Sequence, residues 1–202
     1  MTTTTALRDT DRRALLEVST AVVGDVVNGR RPRLPDPAAF DGPLRELGAS
    51  FVTLERGGQL LGCIGTLVAV QPLVVDVARH ALDAAFADPR LPPVTRDDFA
   101  QMSVKVSVLS PPEPMAVSTF DELVAAVRPG IDGVLVDDGR HRATLLPSVW
   151  DHLPVPERFV EALWQKAGLA RGAWPAGMAV SRYATEEFGD PGPRPPDGSG
   201  SR

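Results

Sequence analysis

A single cysteine, Cys63, lies in a strand-like run between two glycines, Gly62 and Gly65. Glycine inside a strand weakens it and commonly marks a bulge or the close approach of another backbone or a ligand. A partly exposed thiolate is a nucleophile, and amides left open beside the glycines could bind an oxyanion. The alternative is a small buried hydrophobe, since free cysteine is among the most buried residue types. This run is therefore the first candidate site.

A second chemical group comes from the tripeptide Asp88-Pro89-Arg90. Arg90 could present its guanidinium to a ligand carboxylate or phosphate, because proline stiffens the turn and arginine binds such anions bidentately. The alternative is an ion pair between Asp88 and Arg90 that fixes a helix end. Cys63 is the candidate catalytic residue, and the predicted substrate-binding residues are Gly62, Gly65, Thr66, Asp88 and Arg90.

Metal and cofactor sites find no support in the sequence. The three histidines have no paired H-x-x-x-H spacing, and there is no C-x-x-C pair. The phosphate-loop, G-x-G-x-x-G and G-x-S-x-G motifs are absent, so we expect no metal and no cofactor. His80 follows Asp76 by one helical turn and precedes Asp83 by three residues, which predicts a place on a solvated polar face. Lining a cleft is the alternative for His80.

Composition and charge limit the class of protein. The chain has 202 residues, of which 43% are hydrophobic and 23% charged, and its formal net charge is −5. No run approaches the roughly 18 apolar residues of a membrane span, and residues 1–8 lack a secretory signal pattern. We therefore expect a soluble, cytoplasmic protein with no membrane partner. Because a net negative charge repels phosphate backbones, we also expect no nucleic-acid partner.

Apolar periodicity predicts four helices, at about residues 9–29, 72–87, 119–127 and 156–168. Pro72 suits the first position of the second helix, because its missing N–H would have no partner there. Thr119 and Glu122 form a capping box at the start of the third helix. Gly168 suits the left-handed cap at the end of the fourth.

Alternation of apolar and polar residues predicts strands at 49–55, 59–68, 102–108, 133–136, 141–145 and 179–183. Gly57-Gly58 and Gly139 can supply the turns of two hairpins. The order of strands and helices is irregular, which predicts an α+β fold with a mainly antiparallel sheet and flanking helices.

Five segments in the same order resemble the AMMECR domain family: LLGCIGT (60–66), AAFADPR (84–90), VSVLS (106–110), LLP (145–147) and KAGL (166–169). The resemblance spans residues 9–188, which we take as one AMMECR-like domain between a flexible N-terminus (1–8) and a disordered tail (189–202). The first segment usually reads Leu-Arg-Gly-Cys-Ile-Gly in the family, and this chain has Leu61 in place of the arginine. An arginine-dependent role is therefore not carried over.

Bacterial and archaeal members of this family include protein A of the three-component AmmeMemoRadiSam system. The resemblance implies two unequal lobes with a cleft, and partnership with a Memo-type protein, similar to extradiol dioxygenases, and a radical S-adenosylmethionine enzyme. It implies no established activity. The resulting hypothesis is an accessory or substrate-binding component with a small-molecule ligand.

The alternative hypothesis is an enzyme in which Cys63 acts on a small-molecule or protein-derived acyl or carbonyl group. A regulatory domain acting on transcription or translation fits the acidic charge badly.

Overall fold

Within residues 7–193, the part of the chain that the computed structural model describes, five α-helices and nine strands form. The helices are α1 (Asp9–Val27), α2 (Leu73–Phe86), α3 (Arg96–Ala100), α4 (Phe120–Ala126) and α5 (Pro156–Lys166). The strands are β1 (Leu47–Arg56), β2 (Gln59–Gly65), β3 (Gln71–Pro72), β4 (Met102–Leu109), β5 (Glu113–Pro114), β6 (Gly133–Asp137), β7 (Arg142–Leu145), β8 (Ala179–Tyr183) and β9 (Thr185–Asp190). Short 3-10 helices lie at Pro37–Ala39, Gly42–Leu44 and Pro147–Asp151.

The first of two structural units holds residues 7–109 and 186–193. Its sheet has the order β2-β1-β4-β9, with β3 also paired to β1. Val52 and Leu54 of β1 are fully buried on the same face as their β4 neighbours Val106 and Val104. They join the apolar stripe of α2 in one core, so helix packing on one face of the sheet stabilises this unit.

The second unit spans Ser110–Thr185 and has its own sheet, in the order β5-β8-β6-β7. Aromatic side chains dominate its core. Trp150 stacks on Phe159 with ring centroids 3.8 Å apart, and Phe120 meets Trp164 edge to face at 5.3 Å. The buried tryptophans are therefore core residues of this unit.

The predicted α+β fold with mainly antiparallel sheets and flanking helices is confirmed, and the two units are unequal in length. The four predicted helices and both hairpins are present. Within residues 7–193, no helix is both long enough and apolar enough to cross a membrane.

Several local predictions differ from the structure. Pro72 is the residue before α2 rather than its first residue. At α4, Thr119 caps the N–H of Glu122 as predicted, but the Glu122 carboxylate accepts from the N–H of Ser118, so the reciprocal half of the box is displaced by one residue. Strand β9 was not predicted and runs through Asp190, and most of the predicted tail, 194–202, lies outside the described residues.

Strand β2 comes so close to helix α2 that Gly62 has no room for a side chain. A Cβ at this position would lie 1.8 Å from the carbonyl oxygen of Ala84. A Cβ at Gly65 would lie 2.3 Å from the Phe51 ring and 2.4 Å from the carbonyl oxygen of Ser50. Close packing therefore explains both glycines, as their unusual place in a strand had indicated.

We expect Gly62→Ala to lower the free energy of unfolding by about 2–3 kcal/mol or more, because the new methyl must push α2 away from β2. Urea and thermal unfolding, followed by circular dichroism, measure the change. Cys63→Ala is the control at the next position. Loss of one hydrogen bond there should lower the free energy of unfolding by about 1 kcal/mol or less. Equal stability of the two variants would contradict the predicted close contact.

Candidate functional site

Two side chains hold the peptide of Cys63 at the edge of the first sheet. Strand β2 is an edge strand, so its outward N–H and C=O groups need partners from outside the sheet. The N–H of Cys63 donates to Asp88 Oδ2 at 3.0 Å, and Arg90 Nη2 donates to the carbonyl oxygen of Cys63, also at 3.0 Å. Asp88 and Arg90 together therefore form a clamp on Cys63.

The clamp is also a bidentate ion pair. Arg90 Nε donates to Asp88 Oδ1 at 2.9 Å and Arg90 Nη2 donates to Oδ2 at 2.6 Å. Only 2% of the Asp88 side chain is exposed, whereas Arg90 is exposed. The Arg90 guanidinium and then the Cys63 N–H hold the pKa of Asp88 well below its usual range, and Asp88 raises the pKa of Arg90. This geometry matches the ion-pair alternative for 88–90, and a ligand-binding role for Arg90 stays a prediction.

The thiol of Cys63 points away from the helices. Ser50, Val52 and Leu54 of β1 face the core, so Thr53 projects from the opposite face. Cys63 is paired with Thr53 across the strands, and Thr53 Oγ1 donates to its sulfur at 3.3 Å. The thiol is half-buried, so its exposure does not decide between a reactive thiol and a small buried hydrophobe.

Lys105 is a neighbour of this site that the sequence analysis did not select. It is paired with Thr53 on the β4 side, is exposed, and projects from the same face of the sheet. We call Thr53, Cys63 and Lys105 the thiol face. The sequence indicated the alternation of β4. Pairing β4 with β1 would have placed Lys105 beside Thr53, on the same face as Cys63.

The amides near Cys63 are already used within the protein. The N–H of Cys63 donates to Asp88, and the N–H of Thr66 donates to the carbonyl oxygen of Ser50 at 3.0 Å. The Thr66 hydroxyl accepts from the N–H of Val68 at 3.2 Å. The amide of Cys63 itself is therefore not open to an oxyanion, because the edge position of β2 requires a partner for it.

His80 belongs to a buried polar cluster that the sequence analysis missed. Ser50 Oγ donates to Asp76 Oδ2 at 2.7 Å, Gln71 Nε2 donates to Oδ1 at 3.1 Å, and His80 Nδ1 lies 3.2 Å from Oδ2. Ser50 and Asp76 are fully buried, and only 11% of the His80 side chain is exposed. The prediction of a solvated His80 is therefore wrong.

The signal for this burial was present in the sequence. His80 follows Val77 by three residues and precedes Ala84 by four, which places it on the apolar stripe of α2. The prediction of a solvated face followed from the polarity of His80 and its acidic neighbours and did not use its position on the helix. Since Ser50 projects towards α2 and Cys63 projects away, His80 and the thiol lie on opposite faces of the sheet.

A family model described as AMMECR1 matches residues 16–188 of this chain. The chain belongs to the AMMECR1 family. A relative from Methanothermobacter thermautotrophicus is 38% identical over 165 residues, which cover 78% of this chain and 82% of the relative. A relative from Aeropyrum pernix is 37% identical over 177 residues, which cover 83% of this chain and 73% of the relative.

The fold is similar to a solved structure, described as the uncharacterized protein PH0010 from Pyrococcus horikoshii. The TM-score is 0.77 at 30% sequence identity, and the match covers 89% of this chain and 91% of that chain. The relatives therefore establish the family and the fold of this AMMECR1 domain without supplying an activity.

Leu61 occupies a bulge in the AMMECR1 domain. Leu54 pairs with Gly62 and Glu55 with Leu60, which leaves Leu61 without a partner in the register. Its side chain packs against the core of the first unit. An apolar contact therefore occupies the position at which the family resemblance leads us to expect an arginine.

Metal binding finds no support in the described part of this AMMECR1 domain. Within residues 7–193, no group of three or more His, Cys, Asp or Glu side chains is placed to hold a metal ion.

We expect Asp88→Asn to destabilise the protein most at neutral pH. The pKa of Asp88 is lower folded than unfolded, so the stabilisation is fully present above the unfolded value of about 3.9 and is lost as the pH falls towards the folded value. Urea unfolding between about pH 7 and pH 3 should show the wild-type advantage shrinking below about pH 4.

Asp83→Asn is the matched control for this measurement, since Asp83 is an exposed carboxylate on the preceding helix. An advantage of wild type over Asp88→Asn that does not change with pH would contradict the clamp.

Proposed function

We propose that this AMMECR1-family protein is an accessory, substrate-binding component that acts with a Memo-type protein and a radical S-adenosylmethionine enzyme. The observation that carries this proposal is the surroundings of the thiol. Within residues 7–193 the Cys63 sulfur takes one hydrogen bond, from Thr53, and His80 lies on the other face of the sheet. A thiol enzyme needs a base or another activating group within hydrogen-bond reach.

The clamp supports the same proposal. A nucleophilic thiol needs donors for the oxyanion that forms on its substrate, and the amide of Cys63 already donates to Asp88. The backbone of this segment is therefore organised to hold β2 in place. A rigid strand with a fixed side-chain face is suited to binding.

The thiol face indicates the chemistry of the ligand. Lys105 offers an exposed cation two strands from Cys63, with the Thr53 side chain between them. A cation beside a half-buried thiol suits a small molecule with a carboxylate or phosphate group and an apolar or soft part. The partners follow from the resemblance to the AMMECR domain family.

The alternative function is a cysteine-dependent enzyme that acts on an acyl or carbonyl group. One observation favours it: the thiol is not fully buried, and the Thr53 hydroxyl donates a hydrogen bond to the sulfur. The occupied amide, and the lack of a base at the sulfur within the described part of the chain, favour the accessory role.

Co-purification tests the proposed function. We expect the tagged protein to retain the Memo-type protein and the radical enzyme from the same organism at about 150 mM salt. We expect Lys105→Glu to weaken retention by about tenfold, because the charge on the thiol face is reversed.

Arg79→Glu is the matched control, since it makes the same change of charge at an exposed position on α2. Retention of neither partner by the wild type would contradict the proposed function. An equal loss in both variants would contradict the role of the thiol face.

A further inference from the structure

Arg182 is a charged residue beside an apolar row of the second unit. It lies on β8, where it pairs with Val134 of β6, and Val134 pairs in turn with Leu145 of β7. Both of these residues and Val180, two residues before Arg182, are buried in the core of this unit. Because side chains alternate along a strand, Arg182 projects from the same face of the sheet as these core residues. Only 34% of its side chain is exposed.

The Arg182 guanidinium has donors that the protein does not use. Its Nε is buried, and within residues 7–193 it is the only buried side-chain nitrogen or oxygen without a hydrogen-bond partner. The terminal nitrogens Nη1 and Nη2 also make no hydrogen bond with a residue of this range, but they are not among the buried atoms and so reach solvent. A buried N–H without an acceptor is unfavourable, so this atom calls for an explanation.

A carboxylate lies near these donors without binding them closely. Glu113 of β5 pairs with Arg182 across the strands, and its Oε2 lies 3.7 Å from Arg182 Nε. That distance is too long for a hydrogen bond, and 72% of the Glu113 side chain is exposed. An ion pair with so exposed a partner is weak. Glu113 therefore covers the guanidinium loosely.

A second pair in the same sheet shows what is special about Arg182. Arg142 Nε lies 3.6 Å from Asp137 Oδ2 across β6 and β7, so this pair is almost equally long. However, Arg142 is an exposed residue, and water can serve its donors. The difference at Arg182 is that the unpartnered N–H is buried.

The charges around Arg182 favour an anion with a single charge. Arg128, just after α4, donates through Nε and Nη2 to the buried carboxylate of Asp132, which directly precedes β6. The hydrogen bonds and charge of Asp132 raise the pKa of Arg128, and the charge of Glu113 adds to this effect. The two arginines and two carboxylates are together neutral, so one positive charge is left when Glu113 moves away. That charge suits a monocarboxylate better than a dianionic phosphate.

We propose that Arg182 is the anchor of a second ligand site, in the unit that does not contain Cys63, for a small molecule with one carboxylate. The ligand carboxylate takes the place of Glu113 and accepts from Nε and a terminal nitrogen of Arg182, in the planar bidentate geometry that a guanidinium offers. Glu113 is a built-in competitor that covers the donors when no ligand is bound. This site does not depend on the proposed role of the thiol face.

Acetate and acetamide are matched probes for this site, since they have nearly the same shape and only acetate is charged. Titration of each probe at neutral pH and constant ionic strength is followed by the arginine Nε–H signals of ¹⁵N-labelled protein. We expect acetate to shift the Arg182 signal along a saturable curve and acetamide to bind about tenfold more weakly. Inorganic phosphate should bind no more tightly than acetate.

Removal of the competitor distinguishes a ligand site from a structural ion pair. Glu113→Gln should tighten acetate binding by about threefold, because the ligand no longer displaces a charged group. Arg182→Lys should weaken it by about tenfold, since lysine keeps the charge but lacks the planar fork. The backbone amide signals of β5 and β8 report binding in that variant. If Arg182→Lys does not fold, Glu113→Gln decides, because Glu113 is an exposed residue.

Arg142→Lys is the matched control, since Arg142 makes a similarly long ion pair at an exposed position. It should leave acetate binding unchanged. The proposal would be overturned by the absence of a saturable shift, by equal binding of acetate and acetamide, or by tighter binding of phosphate. Acetate binding that is unchanged or weaker in Glu113→Gln, or an equal loss in Arg182→Lys and Arg142→Lys, would also overturn it.

Discussion

The N–H and C=O groups of Cys63 are held by opposite charges, a carboxylate that accepts from one and a guanidinium that donates to the other. Because β2 is an edge strand, these groups have no partners in the sheet. The ion pair supplies the two hydrogen bonds that β1 cannot make. Asp88 and Arg90 also bind each other bidentately, so each side chain restricts the rotamers of the other. The position of β2 depends on this arrangement.

The rest of the first unit follows from a fixed β2. Helix α2 can approach as closely as the Ala84 carbonyl does only because Gly62 has no side chain and the strand does not move outward. Asp88 lies just after the end of α2, and its carboxylate accepts from the N–H of Cys63 in β2. Packing and the ion pair therefore stabilise the same contact, and the side chain of Cys63 is left on the face away from the helix.

The sheet separates two kinds of chemistry. The thiol face has a nucleophile-capable sulfur and a lysine, but among residues 7–193 no base is hydrogen-bonded to the sulfur. The helix side has the buried cluster of Ser50, Asp76 and His80 but no thiol. Neither face by itself has the parts of a thiol hydrolase, which is the physical reason for favouring binding over catalysis.

Much of this arrangement was predictable from the sequence, because it depends on local pattern. The glycines beside Cys63 indicated close packing, and the alternation in β4 set the direction of each side chain. The Asp88-Arg90 pair could not be distinguished from an open anion site, since the distinction depends on an edge strand 25 residues away in the chain. His80 was misplaced because polarity was weighted above helical position. Strand β9 was missed because its sequence, TEEFGD, alternates poorly and is organised by pairing with β4.

The central proposal is that Cys63 holds β2 through its backbone and that its thiol belongs to a binding face and not to a catalytic centre. The most direct test is the rate at which iodoacetamide alkylates this single cysteine in the folded protein and in the urea-unfolded chain, between about pH 6 and pH 9. We expect the folded protein to react about tenfold more slowly at every pH, because the sulfur is half-buried and no base among residues 7–193 is hydrogen-bonded to it. A folded protein that reacts faster than the unfolded chain near neutral pH would contradict the claim, since only an activated thiol behaves in that way.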